Sequence, residues 1–194
     1  MVLAIFDFDG TITHKDSFRH FLQYAVRKSV YYRGLIVLSP VMIGYLLGLV
    51  PNNVAKQRVF AHFFGGWSTE IFGAIAEEYS SSEVGKIVRP EALKRIVWHQ
   101  RQEHRVVVVL ASIRSWLSRW CEAQGVDLVS TEVEEKDGIL TGQFLTLNCH
   151  GGEKVNRLKG RFDFSKIDYV YAYGNSSGDK EILELADEMY YRFF

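Results

Sequence analysis

The sequence has little cysteine and proline and no excess of charge of either sign. Its 194 residues include two cysteines and three prolines, and 23 basic residues balance 23 acidic ones. Cys121 and Cys149 are too few for a disulfide framework, and no CxxC pair suggests a zinc site. A net charge of zero provides no bulk attraction to nucleic acid or anionic lipid. We therefore expect a cytoplasmic globular protein that does not bind nucleic acid.

The N-terminus lacks the features of a signal peptide. No basic residue precedes Lys15, and Asp7 and Asp9 interrupt the first apolar run. A signal peptide needs a basic start followed by an uninterrupted apolar region. The first apolar run is therefore interpreted as part of the folded protein.

Charged residues are absent between Gly34 and Ala55. The most apolar part, Leu35 to Val50, has 16 residues, which is near or below the ~17 that span a bilayer as a helix. Pro40 and Pro51 interrupt or bound it. The pattern favours a buried helical hairpin over a face that dips into a membrane, and a transmembrane span is the least favoured interpretation.

Five short apolar runs predict the strands of a parallel sheet: VLAIFDF, RVVVVLA, VDLVS, DYVYAYG and EMYYRFF. Helix-like segments lie between them at Ser115–Ala123, Glu153–Lys159 and Asp179–Ala186. Strands that alternate with helices indicate right-handed crossovers. We expect an α/β fold, a Rossmann-like parallel sheet with helices on both faces.

Two regions depart from this alternation. Residues Glu132 to Leu147 alternate polar and apolar side chains around Asp137-Gly138, which predicts an antiparallel hairpin. Helical spacing without a convincing strand continues from Asp16 to Gln102. We therefore predict a core domain of residues 1–15 and 103–194, and an all-helical cap domain of residues 16–102 inserted after the first strand.

Polar residues follow the predicted strands, and in an open parallel sheet the carboxyl ends of the strands form the ligand site. These candidate site residues are Asp7, Asp9, Gly10 and Thr11 in DFDGT, Ala111 and Ser112 after RVVVVL, Lys154 in GGEK, and Asn175 and Asp179 in GNSSGD. Each motif alone is typical of an ordinary loop, cap or surface charge, and Ser112 is equally consistent with a helix N-cap. Together they indicate one site.

The pair Asp7 and Asp9 points to metal-assisted phosphate chemistry. Carboxylates at positions i and i+2 lie on one side of an extended chain, and their repulsion is relieved by a cation. Hard oxygen ligands without a His or Cys cluster favour Mg²⁺. Gly10 permits close approach of an anion, Thr11 offers a hydroxyl, and Lys154 neutralises phosphate charge. The set is that of a phosphoryl-transfer site.

FDFDGT, the lysine of GGEK and GNSSGD resemble motifs of the haloacid dehalogenase superfamily of phosphohydrolases. The helical insert is similar to that of the type I-B branch, which includes phosphoserine phosphatase-like enzymes. The resemblance implies that Asp7 forms an aspartyl-phosphate, and that Asp9 protonates the leaving oxygen and then activates water. It also implies that Asp7, the backbone carbonyl of Asp9 and Asn175 hold Mg²⁺, that Asp179 supports the metal through water, and that Lys154 stabilises the phosphoryl charge.

Two positions differ from the family's pattern. The Ser or Thr that usually ends the second strand is replaced by Leu110, so that either Ser112 or the amide of Ala111 contacts phosphate. Asn175 stands where a metal-binding aspartate is usual, which removes one negative charge from the site. A catalytically impaired phosphate-binding or regulatory protein is therefore the alternative to a phosphatase.

The substrate is left open between a small phosphometabolite and a lipid phosphate. The cap is rich in aromatic side chains, namely Tyr31, Tyr32, Tyr45, Phe60, Phe63, Phe64, Trp67 and Phe72. These side chains favour a small core within the cap. Some similarity to phosphatidylglycerophosphate phosphatases implies instead a lipid substrate and a peripheral membrane contact at the inner face, through the cap. The oligomeric state is not predicted.

Overall fold

The computed structural model describes residues 1–194 and contains a parallel five-stranded sheet. The strands are β1 (Val2–Asp7), β2 (Arg105–Ile113), β3 (Asp127–Thr131), β4 (Val133–Lys136), β5 (Ile139–Phe144), β6 (Tyr169–Gly174) and β7 (Glu188–Tyr191). The sheet has the order β3-β2-β1-β6-β7, and β4 and β5 form a separate antiparallel pair. All five predicted sheet strands and the predicted hairpin are confirmed.

Nine α-helices surround the sheet. Six lie between β1 and β2: α1 (Ser17–Ala25), α2 (Lys28–Leu46), α3 (Asn52–Phe64), α4 (Thr69–Ser82), α5 (Val84–Ile87) and α6 (Pro90–Arg101). The others are α7 (Ser118–Gln124), α8 (Gly152–Arg161) and α9 (Lys180–Glu184). The predicted fold class, a Rossmann-like sheet with a helical insert after the first strand, is confirmed. The proposed domain boundaries stay a prediction.

Alternate residues of β1 bury their side chains on opposite faces of the sheet. Leu3 and Ile5 join a core cluster that also contains apolar residues of α8 and α9. Ala4 and Phe6 belong to a larger cluster that continues into the insert through Phe21 and other aromatic side chains. One continuous apolar core therefore connects the helical cap with one face of the sheet, and it fixes the cap above the ends of the strands.

The cap aromatics are divided between this core and solvent. Most of them are buried, as the interpretation of a small cap core predicts: Tyr31, Phe60, Phe63, Phe64 and Phe72. Tyr32 and Tyr45 are exposed. The aromatic content therefore stabilises the cap but does not account for the whole apolar insert.

Helices α2 and α3 form the predicted helical hairpin, but most of α2 is not buried. Its only buried residues are Tyr31, Gly34 and Leu38. A side-chain carbon at Gly34 would overlap the ring of Phe63, so this glycine permits the close approach of the two helices. By length and composition, α2 is the one helix of the protein apolar enough to cross a membrane.

The exposed part of this hairpin is strongly apolar. We call it the apolar arm, and it consists of Ile36, Val37, Ile43, Leu46, Leu47 and Leu49. Their exposed fractions range from 55% for Ile43 to 79% for Leu46. The predicted burial of the hairpin is therefore confined to the side of α2 that faces α3.

Candidate active site

Asp7 is the last residue of β1 and lies at the centre of the candidate site. Only 6% of its surface is exposed. Lys154 Nζ donates to its Oδ1 at 2.6 Å, and Thr11 Oγ1 donates to its Oδ2 at 3.0 Å. Burial raises the pKa of Asp7, and the neighbouring Lys154 ammonium opposes this effect. The structure thus places a buried, oriented carboxylate where the predicted nucleophile belongs.

Lys154 joins Asp7 to the other side of the site. It lies in the first turn of α8, is 2% exposed, and also donates to Asp179 Oδ1 at 2.6 Å. Burial by itself would lower the pKa of Lys154, but the two carboxylates outweigh that effect and raise it. The interpretation of Lys154 as a surface charge is therefore wrong, because the side chain is a buried cation between two anions.

Asp179 organises the GNSSGD loop that follows β6. Its Oδ2 accepts hydrogen bonds from the backbone nitrogen of Asn175 at 3.1 Å, the backbone nitrogen of Ser176 at 2.9 Å and Ser176 Oγ at 2.8 Å. Burial would raise the pKa of Asp179, but Lys154 and these donors outweigh it and hold the pKa below its usual value. Asp179 therefore stays ionised and holds both the loop and Lys154 in place.

Asp9 lies between the sheet and the cap. Its Oδ1 accepts a hydrogen bond of 2.7 Å from the backbone nitrogen of Ser17, the first residue of α1. The pKa of Asp9 is raised to about 7: burial and the charge of Asp16 raise it, and Lys56 and the hydrogen bonding of Ser17 oppose part of this rise. A carboxyl group with a pKa near the working pH is suited to give and to take a proton.

Gly10 permits the tight turn that follows these carboxylates. Its φ is +85°, a conformation that glycine adopts without strain. A side-chain carbon at this position would also overlap the Asn175 side-chain amide. Position 10 therefore admits only glycine if the loops after β1 and β6 are to approach each other this closely.

The oxygen donors fit a hard divalent cation. Asn175 Oδ1 is buried and has no hydrogen-bond partner, as a metal-binding oxygen in the free protein would be. Asp7 ends β1 and Asn175 directly follows β6, and the two strands are paired neighbours in the sheet. No group of three His, Cys, Asp or Glu side chains is arranged to hold a metal alone. The predicted set of metal ligands therefore needs the side-chain oxygen of Asn175 and the backbone carbonyl of Asp9 in addition to carboxylates.

The end of β2 differs from the expected geometry. The strand continues to Ile113, so Ala111 and Ser112 lie inside it, and the interpretation of Ser112 as a helix N-cap is wrong. Ser112 Oγ is buried without a partner, which leaves it available to an anion. Leu110 is fully buried in the core and contributes no polar group. The roles of Ala111 and Ser112 in phosphate binding stay predictions.

The sequence-based predictions missed Lys56, a residue of the cap helix α3. Its Nζ donates to the carbonyl oxygen of Ala111 at 3.1 Å and lies 5.6 Å from the centre of the Phe18 ring. This contact brings a cation from the cap to the carboxyl end of β2. Lys56 is the first charged residue after the uncharged segment, but no motif around it indicates this contact.

Comparisons with known proteins show which family the chain belongs to. A family model described as haloacid dehalogenase-like hydrolase matches residues 4–184. Protein CicA of Caulobacter vibrioides is 32% identical over 199 residues, covering 100% of this chain and 86% of that protein.

Solved structures share the fold. A protein of unknown function from Bordetella pertussis has a TM-score of 0.79 at 20% identity, covering 97% of this chain and 88% of its own. A phospho-aspartyl intermediate analogue of phosphoserine phosphatase has a TM-score of 0.66 at 16% identity, and the match covers 96% of this chain and 84% of that chain. The fold is shared with these two structures, and the family-model match over residues 4–184 shows that the protein is an enzyme of the haloacid dehalogenase-like hydrolase family.

Proposed function

We propose that this protein is a Mg²⁺-dependent phosphomonoester hydrolase that works through an aspartyl-phosphate on Asp7. The observation that carries the proposal is the buried chain of charges from Asp7 through Lys154 to Asp179, with both contacts at 2.6 Å. A nucleophilic carboxylate beside a fixed cation is what transfer of a phosphoryl group requires. The fold shared with a phosphoserine phosphatase captured as a phospho-aspartyl analogue supports the same chemistry.

In the first step, a carboxylate oxygen of Asp7 attacks phosphorus, and the ester oxygen leaves with a proton from Asp9. In the second step, water attacks the phosphorus of the aspartyl-phosphate, Asp9 accepts its proton, and inorganic phosphate leaves with Asp7 restored. Lys154 neutralises an oxygen of the transferred group in both steps. Mg²⁺, when bound by Asp7, the carbonyl of Asp9 and Asn175, supplies further neutralisation of the phosphate charge.

Two measurements test this proposal. We expect para-nitrophenyl phosphate to be hydrolysed with added Mg²⁺ and to be stable with EDTA. We also expect an acid quench during turnover to leave a phosphoryl group on the peptide that contains Asp7, detected by mass spectrometry. Full activity in EDTA would contradict the metal requirement, and turnover without any trapped phosphopeptide under rapid quench would contradict the covalent step.

For the substrate we propose a lipid phosphate, reached by peripheral contact of the apolar arm with an anionic membrane. Charge distribution supports this choice. Residues 17–69 contain six basic and no acidic residues, whereas the rest of the chain contains 17 basic and 23 acidic residues. The zero net charge of the chain is therefore the sum of a positively charged segment of the cap and a negatively charged remainder. Exposed Lys28 and Arg33 lie on the helix that carries the arm, and exposed Arg27 directly precedes it.

An apolar helix face flanked by basic residues is typical of a helix that lies in a membrane interface. Each basic residue near an anionic surface contributes about 1 kcal/mol, and each buried methylene about 0.8 kcal/mol. The arm and its basic residues are therefore sufficient for reversible binding without a membrane-spanning segment. We place the enzyme in the cytoplasm, peripheral to the inner membrane face.

Vesicle cosedimentation tests the membrane contact. We expect binding to phosphatidylcholine vesicles that contain phosphatidylglycerol, and weaker binding to phosphatidylcholine alone or at high salt. Turnover of phosphatidic acid in the same vesicles, compared with turnover of phosphoserine, tests the substrate. A protein that binds neither kind of vesicle and hydrolyses phosphoserine faster than phosphatidic acid would be an enzyme of small phosphometabolites, and the lipid proposal would be wrong.

A second candidate function is a phosphate-binding or regulatory protein without turnover. Two observations favour it, the buried apolar Leu110 in place of a Ser or Thr and the side-chain amide of Asn175 in place of a carboxylate. The intact contacts of Asp7 with Lys154 and Thr11 oppose it. Phosphate binding without hydrolysis of any phosphomonoester, under the conditions above, would establish this second function.

A further inference from the structure

A cleft within the cap opens between α1, α2 and α3. Its volume is about 570 Å³, and its walls are mainly apolar, with Leu22 from α1, Leu35 and Met42 from α2, and Ala55 and Val59 from α3. Small-molecule sites usually measure about 300–1,000 Å³ and are lined by apolar side chains with a few polar groups. The cleft has both the size and the lining of a binding site.

The inner end of the cleft is lined by residues that neighbour the candidate active site. Phe18, Asp16 and Lys56 belong to its lining. Lys56 Nζ contacts the carbonyl of Ala111 at 3.1 Å, at the carboxyl edge of the sheet. Asp16 directly precedes Ser17, whose backbone nitrogen is 2.7 Å from Asp9 Oδ1. The polar end of the cleft is therefore linked to the candidate active site through Lys56 and through the Asp16–Ser17 segment.

The outer end of the cleft reaches the apolar arm. Met42, Tyr45 and Leu46 are lining residues and are also exposed, by 41%, 44% and 79%. The cleft thus connects two surfaces of different chemistry, the charged site at the sheet edge and the apolar surface of α2. A small polar phosphometabolite would leave its apolar walls in contact with water.

We infer that this cleft is a subsite for the apolar chain of the substrate, which extends from the phosphate on Asp7 toward the arm. The inference rests on the proposed function and adds a specific binding place for the apolar chain. Apolar phosphomonoesters reach it either as monomers in solution or from a membrane. Ala55 is suited to test the cleft, because a large side chain there would fill the space between α1, α2 and α3.

The test uses n-alkyl phosphonates, whose carbon–phosphorus bond is not hydrolysed, as calorimetric probes of binding at concentrations below micelle formation. We expect the Kd to fall by up to about fourfold for each added methylene until the cleft is filled. We also expect a negative heat-capacity change that grows with chain length. In Ala55→Trp the dependence on chain length should be lost. Asn53→Trp, an exposed position on the same helix outside the cleft, is the matched control and should keep it.

A Kd that does not change with chain length in the unsubstituted protein would overturn the inference, as would equal chain-length dependence in both tryptophan variants. Because the probes are not hydrolysed, this result is independent of turnover. Failure of the proposed function appears separately, as absence of para-nitrophenyl phosphate hydrolysis. Phosphatidic acid in vesicles, compared with monomeric alkyl phosphate, shows whether the chain enters the cleft from a membrane or from solution.

Discussion

The carboxyl edge of the sheet and the apolar arm depart from the usual rule of burial in opposite directions. At the sheet edge, Asp7, Lys154 and Asp179 are charged groups with exposures of 6%, 2% and 1%. In the arm, leucines such as Leu46 and Leu47 are 79% and 68% exposed. Charged residues are rarely buried unless they are paired, and contiguous exposed apolar surfaces usually mark an interaction site.

The two regions differ in how their unfavourable placement is compensated. The sheet edge is compensated within the chain, because Lys154 donates to both Asp7 and Asp179, and each carboxylate also accepts other hydrogen bonds. The arm has no compensating group within the chain. This comparison teaches that the buried charges of the sheet edge are paired within the chain, whereas the arm can bury its apolar surface only against something outside the chain.

The largest effect is expected from Asp7→Asn, which removes the proposed nucleophile from the sheet edge. Turnover of para-nitrophenyl phosphate should fall by ~10⁴-fold or more. The fold should persist, because Asn is nearly the same size and Lys154 keeps its contact with Asp179. Steady-state kinetics and thermal unfolding test this, with Asp137→Asn in the exposed hairpin turn as the matched control. Near-normal activity of Asp7→Asn would remove the basis of the covalent mechanism.

Lys154→Met should show how strongly the buried charges depend on one another. Loss of the ammonium leaves two buried carboxylates unpaired, and we expect the free energy of unfolding to fall by about 3–5 kcal/mol near neutral pH. The variant's buried carboxyls will have raised pKa values and will bind protons more readily in the folded state than in the unfolded state. The deficit should therefore shrink as the pH falls from about 8 to about 5.

Urea unfolding of both proteins across this pH range measures the effect. Lys159→Met, at an exposed position on the same helix, is the control and should change the free energy of unfolding by no more than about 0.5 kcal/mol. A Lys154→Met deficit that is small or independent of pH would show that the charge network contributes little to stability.

A pair of leucine substitutions in α2 and its turn compares a buried position with an exposed one. Leu38→Glu places a charge at a position that is 6% exposed, and the free energy of unfolding should fall by about 4 kcal/mol or more. Leu47→Glu lies in the arm and should change it by no more than about 0.5 kcal/mol. The same Leu47→Glu should weaken binding to anionic vesicles by about tenfold.

Chemical unfolding and vesicle cosedimentation measure the two effects separately. A large loss of stability in Leu47→Glu would mean that the arm is packed in the folded protein. Unchanged vesicle binding by a stable Leu47→Glu would show that the arm is not the membrane contact.

The smallest effect is expected from Asn175→Asp. The substitution adds a carboxylate beside Asp7 on the neighbouring strand, and the half-saturating Mg²⁺ concentration should fall severalfold because an anionic oxygen binds Mg²⁺ more strongly than an amide oxygen. Mg²⁺ titration of activity in both proteins measures this change. Equal half-saturation in the two proteins would show that position 175 does not contact the metal.

Much of the sheet and of the candidate site was predictable from the sequence because the relevant signals are local. Apolar runs such as RVVVVLA define strands, and the order of strands and helices determines that their carboxyl ends meet. This reasoning placed Asp7 and Asp179 at one edge. It failed at Ser112, because an apolar run does not show where β2 ends, and the strand continues to Ile113.

Local sequence thus determined the fold class and the residues of the sheet edge. Tertiary structure decided how these residues are paired and which surfaces remain exposed. Lys154 and Asp7 are 147 residues apart, and Lys56 and Ala111 are 55 apart, so no local pattern indicates their contacts. The apolar composition of α2 was evident in the sequence, but whether an apolar residue is buried depends on what packs against it. In this fold α3 covers only one side of α2, and the other side forms the arm.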